Sequence, residues 1–142
     1  MDPIVTQQLT DMNIDKILHY FTYFIISVCL FVGFFKAYLK FTPYNEIELI
    51  KRGSVAVAWT LSGAILGYVI NLGFAMFYSY GVIQFVVFGI VSGGIQLVCH
   101  YVMQKVFVTL QEEIRTNNNV AVGILFASIA ICVGIINGAS AY

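Results

Sequence analysis

Residues 53–104, GSVAVAWTLSGAILGYVINLGFAMFYSYGVIQFVVFGIVSGGIQLVCHYVMQ, contain no Asp, Glu, Lys or Arg over 52 consecutive positions between Arg52 and Lys105. A bilayer core takes about 20 apolar residues per spanning helix, so this stretch accommodates two spans and a turn. The same character continues outward in both directions. Ile17 to Phe35 is free of charge, and so are the 27 residues after Arg115. Of the 142 residues, 60% are hydrophobic and 10% charged, against roughly 25% charged in an ordinary soluble domain. Seven acids and seven bases cannot cover a water-soluble surface of this size.

The expected fold is an all-α membrane protein in a single membrane domain, residues 1–142. Its four transmembrane helices run from about Ile17 to Leu39, Ser54 to Met76, Val82 to Met103 and Val120 to Ala141. Backbone polar groups in lipid must be bonded internally, which favours helices over lone strands. Lys36, Lys40, Lys51 and Arg52 flank the first connection (40–53), and Lys105 and Arg115 flank the second charged one (105–119). Only Lys16 lies at the opposite side, so the positive-inside rule puts both connections in the cytoplasm and both termini outside. Tyr20, Tyr23, Tyr78, Tyr80 and Tyr142 collect at that outer boundary.

Several classes are excluded. A net charge of zero without a basic cluster leaves no nucleic-acid footprint. Cys29, Cys99 and Cys132 are odd in number and sit in apolar runs, where they read as small buried apolar side chains rather than a disulfide framework. Asp2, Asp11 and Asp15 precede the first apolar stretch where a secretory signal would carry bases. There is no room for a soluble domain.

In the first connection Thr42-Pro43 reads as a helix start. Glu46 and Glu48 follow in its first turns, and Lys51 and Arg52 close it before Gly53. Glu48 reaches Arg52 at i,i+4 spacing. Tyr44, Ile47 and Ile50 share a side, which suits either a short interfacial helix or an extension of a span. In the second connection, Asn117-Asn118-Asn119 reads as a turn. A shift of 65 residues superposes Lys40 on Lys105, Glu48 on Glu113 and Val55-Ala56-Val57 on Val120-Ala121-Val122. This implies two parallel two-helix repeats, about 17–76 and 82–141, related by an axis along the membrane normal.

The run from Thr42-Pro43-Tyr44-Asn45-Glu46 through Lys51-Arg52-Gly53-Ser54-Val55-Ala56 resembles the signature of the bacterial membrane family called domain of unknown function 350. So do Asn119-Val120-Ala121-Val122 and Gly134-Ile135-Ile136-Asn137-Gly138-Ala139. The resemblance covers nearly the whole chain and implies a bacterial inner-membrane protein with four spans and duplicated halves. It brings no reaction, cofactor or catalytic residue. Where the family commonly has Asn after the glycine this chain has Ser54, and a Pro common near Asn71 is missing.

Ser92, Gln96, His100 and Gln104 recur every four residues on one face of the third span. Polar groups in a bilayer turn to the bundle interior or a water-filled cavity. The row therefore reads either as a hydrophilic path, with His100 of a side-chain type that gains charge near neutral pH, or as interhelical hydrogen bonding. Asn71 and Asn137, near the outer ends of the second and fourth spans, carry the same two readings. Gly63/Gly67, Gly89/Gly93 and Gly134/Gly138, with Ala130 four before Gly134, permit close helix packing. Four short helices have few inward faces, so at least one of these sets is expected to serve a homo-oligomer. Asp11, Asp15 and His19 form an i,i+4 ladder read as a solvated helix end rather than a metal site. The remaining acids, Glu46, Glu48, Glu112 and Glu113, read as interfacial charge balance.

No catalytic constellation is present, and an enzyme is not expected. The leading expectation is a homo-oligomeric, channel-like or transport component of the inner membrane. The competing one is a non-conducting scaffold whose connections dock a soluble cytoplasmic protein through Glu48, Arg52, Glu113 and Arg115.

Overall fold

In the computed structural model, residues 3–140 are described, with side chains described from residue 14 onward. Tyr142 and Ala141 lie outside that range, and so does the Asp11 side chain. The elements are α1 (Pro3–Phe41), α2 (Glu46–Lys51), α3 (Val55–Tyr78), α4 (Val82–Val106), α5 (Val108–Arg115) and α6 (Val120–Ser140). All described structure is helical, and α1, α3, α4 and α6 are each long and apolar enough to cross a membrane. The order long, short, long occurs twice. The short helices α2 and α5 lie at one end of the bundle, opposite the α3–α4 turn.

Local chemistry sets the breaks. The Thr42 hydroxyl donates to the Tyr38 carbonyl at the end of α1, and Pro43 follows. The next helix does not begin at Thr42-Pro43 as the sequence suggests. Asn45 is its N-cap, its side chain accepting from the Glu48 N–H at 3.2 Å. α2 is neither an extension of a span nor free on a surface, since Ile47 and Ile50 pack against the bundle's own core. The second connection also holds a helix, α5, where the sequence shows mainly a turn. Ile114 of α5 is fully buried with Ala56, Val57 and Phe126.

Among the described residues, Gly53 (φ +91°) and Asn118 (φ +50°) have left-handed backbone, each ending a turn before a long helix. They stand 65 residues apart, the offset that aligns the two connections. Asn118 also caps α3 across the fold: its Oδ1 accepts from the Ala56 N–H at 2.9 Å and from the Ser54 hydroxyl at 3.1 Å. Ser54 makes no side-chain cap bond itself.

The most extensive packing is between α3 and α6, and glycine permits it. A Cβ on Gly63 would overlap the Ala127 backbone, and one on Gly134 would overlap the Gly67 backbone. Gly123 meets Ala56 in the same way. Gly89 accommodates Leu30, Gly93 accommodates the Tyr68 ring, and Gly138 accommodates Phe74. Each expected glycine pair thus has at least one member packed closely within the chain. Cys29 and Cys132 are exposed on the bundle's outer surface and Cys99 is half-buried, so the expectation of buried cysteines does not hold, since an apolar run in a membrane helix can face outward as well as inward.

Candidate functional site

α4 carries its polar row on its most buried stripe. Phe85, Gly89, Gly93, Gln96, His100 and Gln104 are the helix's buried residues, so the four-residue spacing turns amides and imidazole into the bundle rather than toward lipid. Starting from the α3–α4 turn, Ser92 is half-buried and donates to the Gly89 carbonyl of its own helix. Asn137 of α6 donates to the Ser92 carbonyl at 3.2 Å, and Asn71 of α3 donates to the Gly67 carbonyl at 3.3 Å. These three side chains line one cavity of about 50 Å³. A void holds a water once its volume reaches roughly 10–15 Å³, so this one has room for more than one.

One turn further along α4, the Gln96 amide passes over Gly67 of α3 and donates to the Ala130 carbonyl of α6 at 2.9 Å. Gly67 and Ala130 thus serve an interhelical hydrogen bond as well as close packing. Gln96 and His100, with Thr60, line a second void of about 10 Å³. Gln104 Nε2 donates to His100 Nε2 at 2.6 Å. Two amide oxygens along this line, Asn71 Oδ1 and Gln96 Oε1, are buried with no hydrogen-bond partner among the described residues. Leaving such an atom unpaired costs about 1–3 kcal/mol, a deficit that a bound water or passing solute would remove.

The α2/α5 end holds a group the sequence reading misassigned. Glu46 is 1% exposed, not a surface charge. Its Oε1 accepts from the Tyr38 hydroxyl at 3.1 Å, and its Oε2 has no hydrogen-bond partner among the described residues. The Tyr38 ring in turn packs 4.5 Å from the His100 imidazole, centroid to centroid. Burial pushes the Glu46 carboxyl up to about 7, and its contacts with Tyr38 and Thr42, which favour the carboxylate, offset only part of that. Burial likewise raises the Tyr44 phenol beside it. Periodicity could not reveal Glu46, because Tyr38 is eight residues upstream on another helix and His100 is on a third. The one available signal was a Glu next to Ile47 and Ile50 on an apolar face.

Of the residues expected to dock a partner, Glu48, Arg52 and Arg115 line one groove of about 310 Å³ with Tyr44, Asn45 and Thr116. Glu48 pairs with Arg52 as its spacing suggests. Arg115 pairs with Glu112 at 2.9 Å, while Glu113 lies apart and accepts from Asn117. His19 packs edge-on against Tyr23. No cluster of His, Cys, Asp or Glu among the described residues could hold a metal ion.

A helical bundle with four helices long and apolar enough to cross a membrane and a polar row turned to its interior has the architecture of a multi-pass membrane protein. The chain belongs to the family described as Domain of Unknown Function (DUF350), whose model matches residues 11–141. It is 33% identical over 126 residues to the UPF0719 inner membrane protein YjfL of Escherichia coli (strain K12), covering 89% of this chain and 95% of the relative. The same figures hold for the protein of that name from Escherichia coli O157:H7. No solved structure matches the chain. The family and the four apolar helices make it an inner-membrane protein.

Proposed function

We propose that this protein is a transport component whose conduit runs inside each monomer along α4, past Asn71, Asn137, Ser92, Gln96, His100 and Gln104. The observation that carries this reading is the buried row itself. Polar side chains of α3 and α6 meet those of α4, with two voids between them and two amide oxygens without hydrogen-bond partners among the described residues. Packing alone would favour satisfied pairs. In this reading α2 and α5 face the cytoplasm and the α3–α4 turn faces outside, supported by six of the seven basic residues at the α2/α5 end. The two halves are duplicated units, supported by the recurring long, short, long order. A homo-oligomer would then set conduits side by side instead of building one pore between copies. The conduit is non-catalytic.

The test is ion and proton flux in liposomes containing the purified protein, beside a Gln96→Leu/His100→Leu variant shown by circular dichroism and elution volume to remain folded. Wild type should conduct and the variant should lose most of that flux. Equal flux in both, or none in the wild type at any pH or voltage, would overturn the reading.

A second reading is favoured by one specific observation. The groove that unites Glu48, Arg52 and Arg115 joins both connections, as a docking platform for a soluble protein would. Flux loss in the variant separates the two, since a scaffold has no use for Gln96 or His100.

A further inference from the structure

We propose that Glu46, Tyr38 and His100 form a proton-binding site at the α2/α5 end of the bundle, and that the species carried along α4 is the proton. The proposal rests on the conduit reading and names its cargo.

Size argues first. The voids beside α4 are about 50 and about 10 Å³, room for a few waters in the first and for one at most in the second, but not for a hydrated metal ion. No Asp, Glu, Lys or Arg lies in α3 or in α6, nor in α4 before Lys105, so nothing along the row compensates a resident ion. Protons need only hydrogen-bonding groups and waters in sequence.

The second argument is the geometry around Glu46. Oε1 is engaged by the Tyr38 hydroxyl, while Oε2 is buried with no hydrogen-bond partner among the described residues. Neither ion pair among the described residues includes it. The titratable and charged groups around it are few. α1 gives Tyr38, the turn before α2 gives Tyr44, and α4 gives His100 behind the Tyr38 ring. Arg115 of α5 stands by Tyr44, and Glu48 of α2 is held by Arg52. α3, against which α2 packs, brings no carboxylate, cation or imidazole, and its Tyr68 phenol is engaged elsewhere, donating to the Gly89 carbonyl. A buried carboxylate without a cation is costly, and a proton is the simplest charge that neutralises it. One proton from water on Oε2 turns the carboxylate into the acid while Oε1 keeps its bond from Tyr38, and release to water reverses the step. His100 is the next group along the row that binds a proton on one ring nitrogen and releases one from the other.

The full-length protein in liposomes gives the test, with proton flux read by an enclosed pH-sensitive dye and potassium flux measured separately. Infrared titration of the purified protein reports the carboxyl independently of transport. Wild type should carry protons and not potassium, and Glu46→Gln should lower proton flux about a hundredfold. A carboxylic acid C=O band should titrate near pH 7 in wild type and be missing from Glu46→Gln. Undiminished proton flux in that variant overturns the site's role. A wild type that conducts potassium overturns the proton as cargo but leaves the conduit standing. A wild type that conducts nothing overturns the conduit itself. No carboxyl titrating above the ordinary range overturns proton binding whatever the flux.

Discussion

Glu46 lowers the stability of the fold it belongs to, and pH controls by how much. In the unfolded chain its carboxyl titrates at the ordinary 4.5, whereas in the folded protein it does so at about 7. Below the lower value both states hold the proton and there is no penalty. As pH rises through the window the unfolded state releases the proton first, so stability falls until the folded group has titrated as well. The total is on the order of 3 kcal/mol. Thermal denaturation in detergent between pH 4.5 and 7.5 checks it: the wild-type midpoint should decline relative to Glu46→Gln, and parallel profiles would show the carboxyl to be solvated. Glu46 was illegible in the sequence because its hydrogen-bond partner, Tyr38, comes from α1. By contrast, Gln96, His100 and Gln104 could be placed on one face from spacing alone. Spacing could not say whether that face was satisfied, since the unpaired oxygens of Asn71 and Gln96 depend on where α3 and α6 sit.

Among the helices, the contact between α3 and α6 is closest, and it rests on backbone meeting backbone. Gly134→Ala should destabilise the protein by about 1–3 kcal/mol, because its Cβ would run into the Gly67 backbone, which cannot swing aside as a side chain can. Gly73→Ala, on the same α3 but facing open space, should be neutral or slightly stabilising. Thermal denaturation of the two variants checks this, and equal effects would place the α3–α6 contact elsewhere. The spans were legible because charge-free length is a strong signal. α3 starts at Val55 and α4 at Val82, within a residue of the reading from sequence. The short helices were less so. α5 is polar and brief, and what orders it is burial of Ile114 against α3 and α6. α2 begins after Asn45 because Thr42 is spent closing α1.

Taken as one body, the protein uses the glycine pairs of α3, α4 and α6 in its own packing while Gly33, Gly73 and Gly94 face open space, turns Gln96, His100 and Gln104 to its interior, and presents apolar side chains such as Phe24, Val28, Val87 and Ile136 outward. In the conduit reading no neighbour is needed to complete the path, although the glycine spacing in the sequence suggests one. A conduit within the monomer makes a quantitative demand on transport that a pore between copies does not. Proton flux should be followed as the protein-to-lipid ratio is lowered until most occupied vesicles hold a single copy. A path inside each chain predicts that flux stays first order in protein, with the rate per copy unchanged through the dilution. A steeper dependence, or flux that vanishes once copies are separated, would contradict it.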